Sequence, residues 1–155
     1  LHLGDRRQRQ MCIRDSFNYY SSDTSFKSFV IPTARPPLNF TGNQMNYSPE
    51  SAYNVAFTAV SDDDSSILRV AYSYKDEYFM DPSNRYISLQ NSYGVANVSY
   101  TKYFTDEWKM KIFCTNCTDE IYKTQVTTFA VPYGGGGRNY YANARRIGVE
   151  ITKTF

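Results

Sequence analysis

Apolar side chains recur at every second position in five separate stretches of this chain. In residues 53–60, Tyr53, Val55, Phe57 and Ala59 alternate with Asn54, Ala56 and Thr58. In residues 68–75, Leu68, Val70, Tyr72 and Tyr74 alternate with Arg69, Ala71, Ser73 and Lys75. Residues 93–103 set Ala96, Val98 and Tyr100 against Asn97, Ser99 and Thr101. Residues 108–116 set Met110, Ile112 and Cys114 against Lys109, Lys111, Phe113 and Thr115. In the last stretch, Ile147, Val149, Ile151 and Phe155 oppose Arg146, Gly148, Glu150, Thr152 and Thr154. A repeat of two puts each set on one face of an extended strand. The pattern predicts an all-β chain of about five strands.

The segments between these strands alternate in length. Residues 61–66 and 104–107 are short polar turns, whereas 80–92 and 118–143 are long, as is the stretch before Tyr53. Pro32, Pro36 and Pro37 exclude a central strand there, although residues 17–20 read as the stub of one. The result is an antiparallel up-and-down meander with short turns at one end and long loops at the other. A transmembrane β-barrel is built that way, with short periplasmic turns and long extracellular loops. Its strands show apolar residues to lipid and polar ones to the lumen, which also suits a final strand that ends on Phe155.

Composition changes this picture little. The chain has 155 residues, 15 Tyr and 10 Phe, and a formal net charge of +2. No stretch approaches the roughly 20 apolar residues of a membrane helix, a test that barrel strands do not meet. A chain this short is expected to be a piece of any large barrel. Residues 1–16 are basic and polar with neither periodicity, and resemble translated adaptor read-through, so they are expected to be a non-native or disordered leader. They hold four Arg, two Asp and the single His, His2. Without them, 17 basic and 15 acidic residues become 13 of each, a neutral balance that argues against a nucleic-acid partner.

Candidate chemistry is sparse. Without His, residues 17–155 hold no Ser–His or Cys–His nucleophile, and Asp76/Glu77 and Asp119/Glu120 read as solvated rim charges; no enzyme is expected. Asp62-Asp63-Asp64 lacks the Gly and closing Glu of a calcium loop. The run Gly134–Gly137 lacks the Lys and Ser/Thr of a phosphate cradle. Cys114-Thr115-Asn116-Cys117 has the spacing of a redox or zinc pair, but no further Cys or His is at hand to complete a metal site. Two Cys three apart on a strand lie on opposite faces about 10 Å apart, beyond disulfide reach, so incidental thiols are expected. No catalytic, cofactor or metal residue is assigned.

Several segments, in order, resemble one family. Asn116-Cys117-Thr118-Asp119-Glu120-Ile121-Tyr122 is similar to the Asn-Leu-Thr-Asp-x-x-Tyr segment near the end of TonB-dependent outer-membrane receptors. Arg146-Ile147-Gly148-Val149 and Phe155 resemble that family's final strand, and Tyr93-Gly94-Val95-Ala96-Asn97 an earlier one. Gly42-Asn43-Gln44 with Ser48-Pro49-Glu50 resembles a segment leading into another strand. Cys117 stands where the family usually has Leu, Ala144-Arg145 where Pro-Arg is common, and Lys153 at a lipid-side position where an aromatic is usual.

The resemblance implies that residues 17–155 are the C-terminal part of a 22-stranded transmembrane β-barrel in the outer membrane of a Gram-negative bacterium. It implies partners: outer-membrane lipid, an N-terminal plug and further strands of the same protein, the TonB–ExbB–ExbD system, and a scarce ligand such as a ferric siderophore. Arg85, Tyr86, Arg138, Tyr140 and Tyr141 are the candidate ligand contacts, because aromatic faces and guanidinium groups suit anionic, ring-bearing chelates. The competing expectation is a soluble extracellular β-sandwich, lectin- or adhesin-like, whose apolar faces would close into a dry core.

Overall fold

A computed structural model of the chain describes residues 12–128 and 136–155. Its centre is one six-stranded antiparallel sheet. The strands are β1 (Cys12–Ser21), β4 (Ser51–Val60), β5 (Ser66–Lys75), β8 (Tyr93–Tyr103), β9 (Trp108–Thr115) and β12 (Arg146–Lys153). They lie side by side in sequence order, the meander expected from the spacing. The five alternating stretches are all strands, with ends shifted by one or two residues.

The sixth strand contains the stub expected at residues 17–20 but begins earlier. Cys12–Ser21 pairs with β4 along its length, from Cys12 opposite Val60 to Ser21 opposite Ser51. A strand therefore begins inside residues 1–16, a stretch with no alternation of its own. The apolar side chains of β4 offer it a partner, and backbone pairing needs no side-chain pattern. Residues 1–11 lie outside the described part.

Register carries the apolar pattern across all six strands. Ile13, Ala59, Leu68, Tyr100, Ile112 and Val149 form one continuous row. Asp15, Phe57, Val70, Val98, Cys114 and Ile147 form the next. A slip of one residue anywhere would move a whole strand's apolar set to the wrong face. No second layer covers this face among the described residues: Ile147, Val149 and Ile151 are 74%, 61% and 68% exposed. The opposite face carries Thr58, Arg69, Ser99, Lys111 and Glu150, and hollows of about 350 and 620 Å³ lie on this polar side. A β-sandwich would need the reverse, with its apolar face shut in.

Two glycines fit large neighbours. A Cβ on Gly148 would lie 2.6 Å from Cζ of Phe113, directly opposite in the register. Gly94 is overlaid by Tyr72 in the same manner on the apolar face. Each aromatic ring rests on a neighbouring strand's bare backbone.

The short turns behave as read. Ser61 Oγ and Ser65 Oγ both donate to Asp63, at 2.5 and 2.7 Å, and Asp64 takes φ +55°. The long loops, by contrast, are not irregular. They hold three small hairpins: β2 (Val30–Ile31) with β3 (Leu38–Asn39), β6 (Tyr78–Phe79) with β7 (Leu89–Gln90), and β10 (Lys123–Thr128) with β11 (Gly137–Tyr141). The buried apolar cluster among the described residues also lies here, where Tyr78, Met80 and Val126 pack together with Tyr93 against them.

Candidate ligand-capture surface and lumenal wall

The three long loops are tied to one another at the end of the sheet away from the short turns. Asn43 Nδ2 donates to Pro82 O at 2.8 Å, and Tyr47 N to Phe79 O at 2.7 Å, joining the first loop to the second. Lys123 joins the second to the third: its Nζ donates to Leu89 O at 2.7 Å, and its N–H to Gln90 Oε1 at 2.7 Å. Ile87 packs against the backbone of Gly137, where an added Cβ would sit 3.0 Å from its Cδ1. Tyr78 lies at the centre of this cluster, and burial pushes its phenol pKa up. It therefore stays protonated and neutral across the physiological range.

Arg85 and Tyr86 form a pinned tip in the second loop. Arg85 Nε donates to Ser83 Oγ at 3.0 Å, and its guanidinium lies 3.9 Å from Asp81 Oδ2. The fully buried Ser88 donates its hydroxyl to Arg85 O at 2.8 Å. Tyr86 itself is 86% exposed, held out at the surface by the short 3-10 turn Tyr86–Ser88.

The other three candidates lie on β11. Arg138 is opposite Thr127 and Tyr140 opposite Gln125. Val126 and Asn139 pair between them, and Val126 points into the buried cluster, so Arg138 and Tyr140 face away from it. Tyr141 is opposite Lys123 and is also exposed. The Ile87–Gly137 contact thus sets the backbone next to Tyr86 beside the backbone next to Arg138. Among the described residues, none of the five side chains bonds to another of the five.

The Asn-Cys-Thr-Asp segment turns out to be a structural knot. Asn116 takes φ +51°, and Asp119 φ +57°. The buried Asn116 amide donates to Glu120 O at 2.9 Å and Asn143 O at 3.2 Å, and accepts from Glu120 N at 3.0 Å. Asn116 N donates to Asn97 Oδ1 at 3.0 Å, and Thr118 Oγ1 to Gly94 O at 3.0 Å. Asp119 pairs with the Arg145 guanidinium at 3.3 Å. Tyr122 stacks on Tyr93 with ring centroids 4.2 Å apart. One short segment therefore fastens the end of β9 to the starts of β8 and β12.

The knot also overturns the expectation of free thiols. Cys114 and Cys117 are joined in a disulfide, with Cα atoms 5.6 Å apart. The 10 Å separation assumed an extended chain through both, but the strand stops at Thr115 and the left-handed Asn116 folds Cys117 back. The preference of Asn for positive φ was the signal in the sequence. Groups of three or more His, Cys, Asp and Glu poised to hold a metal are absent among the described residues. Gly134 and Gly135 lie outside them.

The likeness to known proteins lies in the fold. No protein-family model matches the chain, and no curated protein sequence matches it. Among solved structures, it superposes on the siderophore receptor PiuA from Acinetobacter baumannii with TM-score 0.70 and 16% identity, over 92% of this chain and 20% of that one. It superposes on the ferric yersiniabactin uptake receptor FyuA from Yersinia pestis with TM-score 0.65 and 17% identity, over 75% of this chain and 18% of that one. The chain spans about a fifth of the length of these receptors, and its fold is that of a section of their β-barrel.

Proposed function

We propose that this chain forms part of the wall and outer loops of a TonB-dependent receptor in a Gram-negative outer membrane, taking up a scarce ligand, in the first place a ferric siderophore. The carrying observation is the register: β4, β5, β8, β9 and β12 keep their apolar rows on one uncovered face, with a hollowed polar surface behind it. Lipid is the neighbour that suits such a face, and a lumen suits the other. The plug and the TonB–ExbB–ExbD system would act through parts of the receptor outside this chain. Arg85, Tyr86, Arg138, Tyr140 and Tyr141 make first contact with the ligand; the exposure of Tyr86, Arg138, Tyr140 and Tyr141 on tied loops supports that role, with Arg85 half-buried behind Tyr86. Residues 1–16 fall outside the receptor's own sequence on this reading; an Asp15 carboxylate on the apolar face opposite Phe57 supports it.

The test uses the complete receptor gene in its host. Deletion is expected to abolish uptake of one ferric siderophore under iron limitation. Tyr86→Ala combined with Arg138→Ala is expected to weaken binding of that siderophore to whole cells by about tenfold or more, the worth of about 1.4 kcal/mol. A gene product recovered as a water-soluble monomer would sink the reading.

A further inference from the structure

Charge on the apolar face is confined to one end. Along β4, β5, β8, β9 and β12, the charged side chains in line with the apolar rows are Lys102 and Lys153. Both are cations, and both stand within the last two residues of their strands, at the end with the short turns. Lys102 is opposite Met110, and Met110 opposite Ile151, so Lys153 is two strands and two residues away. That places their Cα atoms about 12 Å apart, a gap that two long side chains close around one phosphate. Lys102 Nζ donates to Ser65 Oγ at 2.6 Å and Ser66 Oγ at 3.1 Å, which leaves one N–H of the ammonium to spare. Tyr100 OH donates to the same Ser66 Oγ at 3.2 Å, so its phenol also points toward that end. The Lys153 ammonium lies over the rings of Trp108 and Phe155, and Trp108, on the strand between the two lysines, is half-exposed. Past these cations, in the turns themselves, come Asp62, Asp64, Asp106 and Glu107, all exposed. Asp63 is occupied within its own turn by Ser61 and Ser65.

From this arrangement we propose a site for one phospholipid of the periplasmic leaflet, with a headgroup that joins a phosphodiester to a primary ammonium, as in phosphatidylethanolamine. Lys102 and Lys153 take the phosphate, and Trp108 packs beside the glycerol where its amphipathic ring belongs. The acyl chains run over Met110, Ile112 and Ile151 toward the middle of the sheet. The headgroup ammonium reaches outward to the acids of the turn between β8 and β9, Asp106 and Glu107. The order of charges selects the lipid. Cations at the edge of the apolar surface, with carboxylates one step further into water, match a zwitterion; the same carboxylates repel a headgroup that carries only negative charge. The site rests on the reading of the apolar face as lipid-facing and of the short turns as periplasmic. Its three strands are neighbours within this chain, on the face turned away from the lumen, so a plug inside the barrel leaves it open.

Native mass spectrometry reads lipid retention by the complete protein after incubation in detergent with equal amounts of phosphatidylethanolamine and phosphatidylglycerol. Wild type is expected to retain phosphatidylethanolamine in preference. Lys102→Gln with Lys153→Gln is expected to lower that retention by about tenfold or more. Lys109→Gln, at the same end but on the polar face, should leave it unchanged. Asp106→Asn with Glu107→Gln should remove the preference by admitting phosphatidylglycerol equally. Each variant's folding is checked by its altered migration when unheated. No preference in folded wild type, unchanged retention by the lysine double variant, equal loss in Lys109→Gln, or a preference that survives removal of the two acids would overturn the site. A protein that gives any of these results while still inserted and importing its siderophore leaves the functional reading intact. One that fails to fractionate with the outer membrane overturns both.

Discussion

Single residues hold this structure where strands end. Asn116 satisfies the carbonyls of Glu120 and Asn143 and the N–H of Glu120 at once. Asn116→Ala leaves those groups unpaired in a buried place, and is expected to cost about 1–3 kcal/mol, read from the urea midpoint of the complete protein in detergent. Gly148→Ala forces the Phe113 ring off its seat and should destabilise by about 1–3 kcal/mol, an effect that Phe113→Ala largely removes in the double variant. For the cysteines, a maleimide in denaturant is expected to label Cys114 and Cys117 only after a reductant is added. Asp63 carries a pH signature. Hydrogen bonds from the Ser61 hydroxyl, then from the Ser65 hydroxyl and N–H, hold its carboxyl well below the ordinary value of 3.8. Its contribution is therefore complete above that value, and fades only as pH falls toward the depressed pKa. Its carboxyl carbon resonance should barely move between pH 6 and pH 4, unlike that of an ordinary turn aspartate.

At the scale of strands, alternation alone was enough to place β4, β5, β8, β9 and β12, because each has one face that must be apolar. Of β1 it showed only the stub at residues 17–20. Cys12 to Ser16 carries Ile13 but also Asp15 on that face, so the strand exists through its partner and not through its own sequence. The thiols were misread for a related reason: alternation describes a strand's middle and is silent on where φ turns positive. Alternation also makes the two faces unequal targets. Ile112→Arg, on the apolar row, is expected to cost about 2–4 kcal/mol if it sits near the bilayer centre. Thr58→Arg, on the polar face, should cost little. Urea midpoints and the folded fraction in outer-membrane preparations measure the difference. Lys153 escapes that penalty at the sheet's end, where its ammonium lies 5.3 Å from the Trp108 ring and 4.8 Å from Phe155, an arrangement suited to a wet interface.

For the molecule as a whole, the sequence showed the sheet and concealed the buried cluster. Tyr78, Met80 and Val126 come from two loops and follow no period, so nothing local marks them as partners. Of the candidate site, exposure and chemistry were legible for Tyr86 and Arg138, but not the Ile87–Gly137 contact between their loops. Met80→Ala opens a cavity at the centre, and is expected to cost the loops about 2–5 kcal/mol. Because Asn43 and Tyr47 bind the second loop, that change should speed tryptic cleavage after Lys27 in the first. Cleavage rates unchanged from wild type would show that the loops open independently.

On the proposed role, shared anchoring also limits how such a mouth evolves and how it would admit a guest. An arm transplanted alone from a relative would arrive without the hub it leans on, so exchanging all three together is the graft expected to transfer selectivity. On the proposed role, a guest that tugs on Tyr86 would strain Lys123 and Asn43 in the same motion.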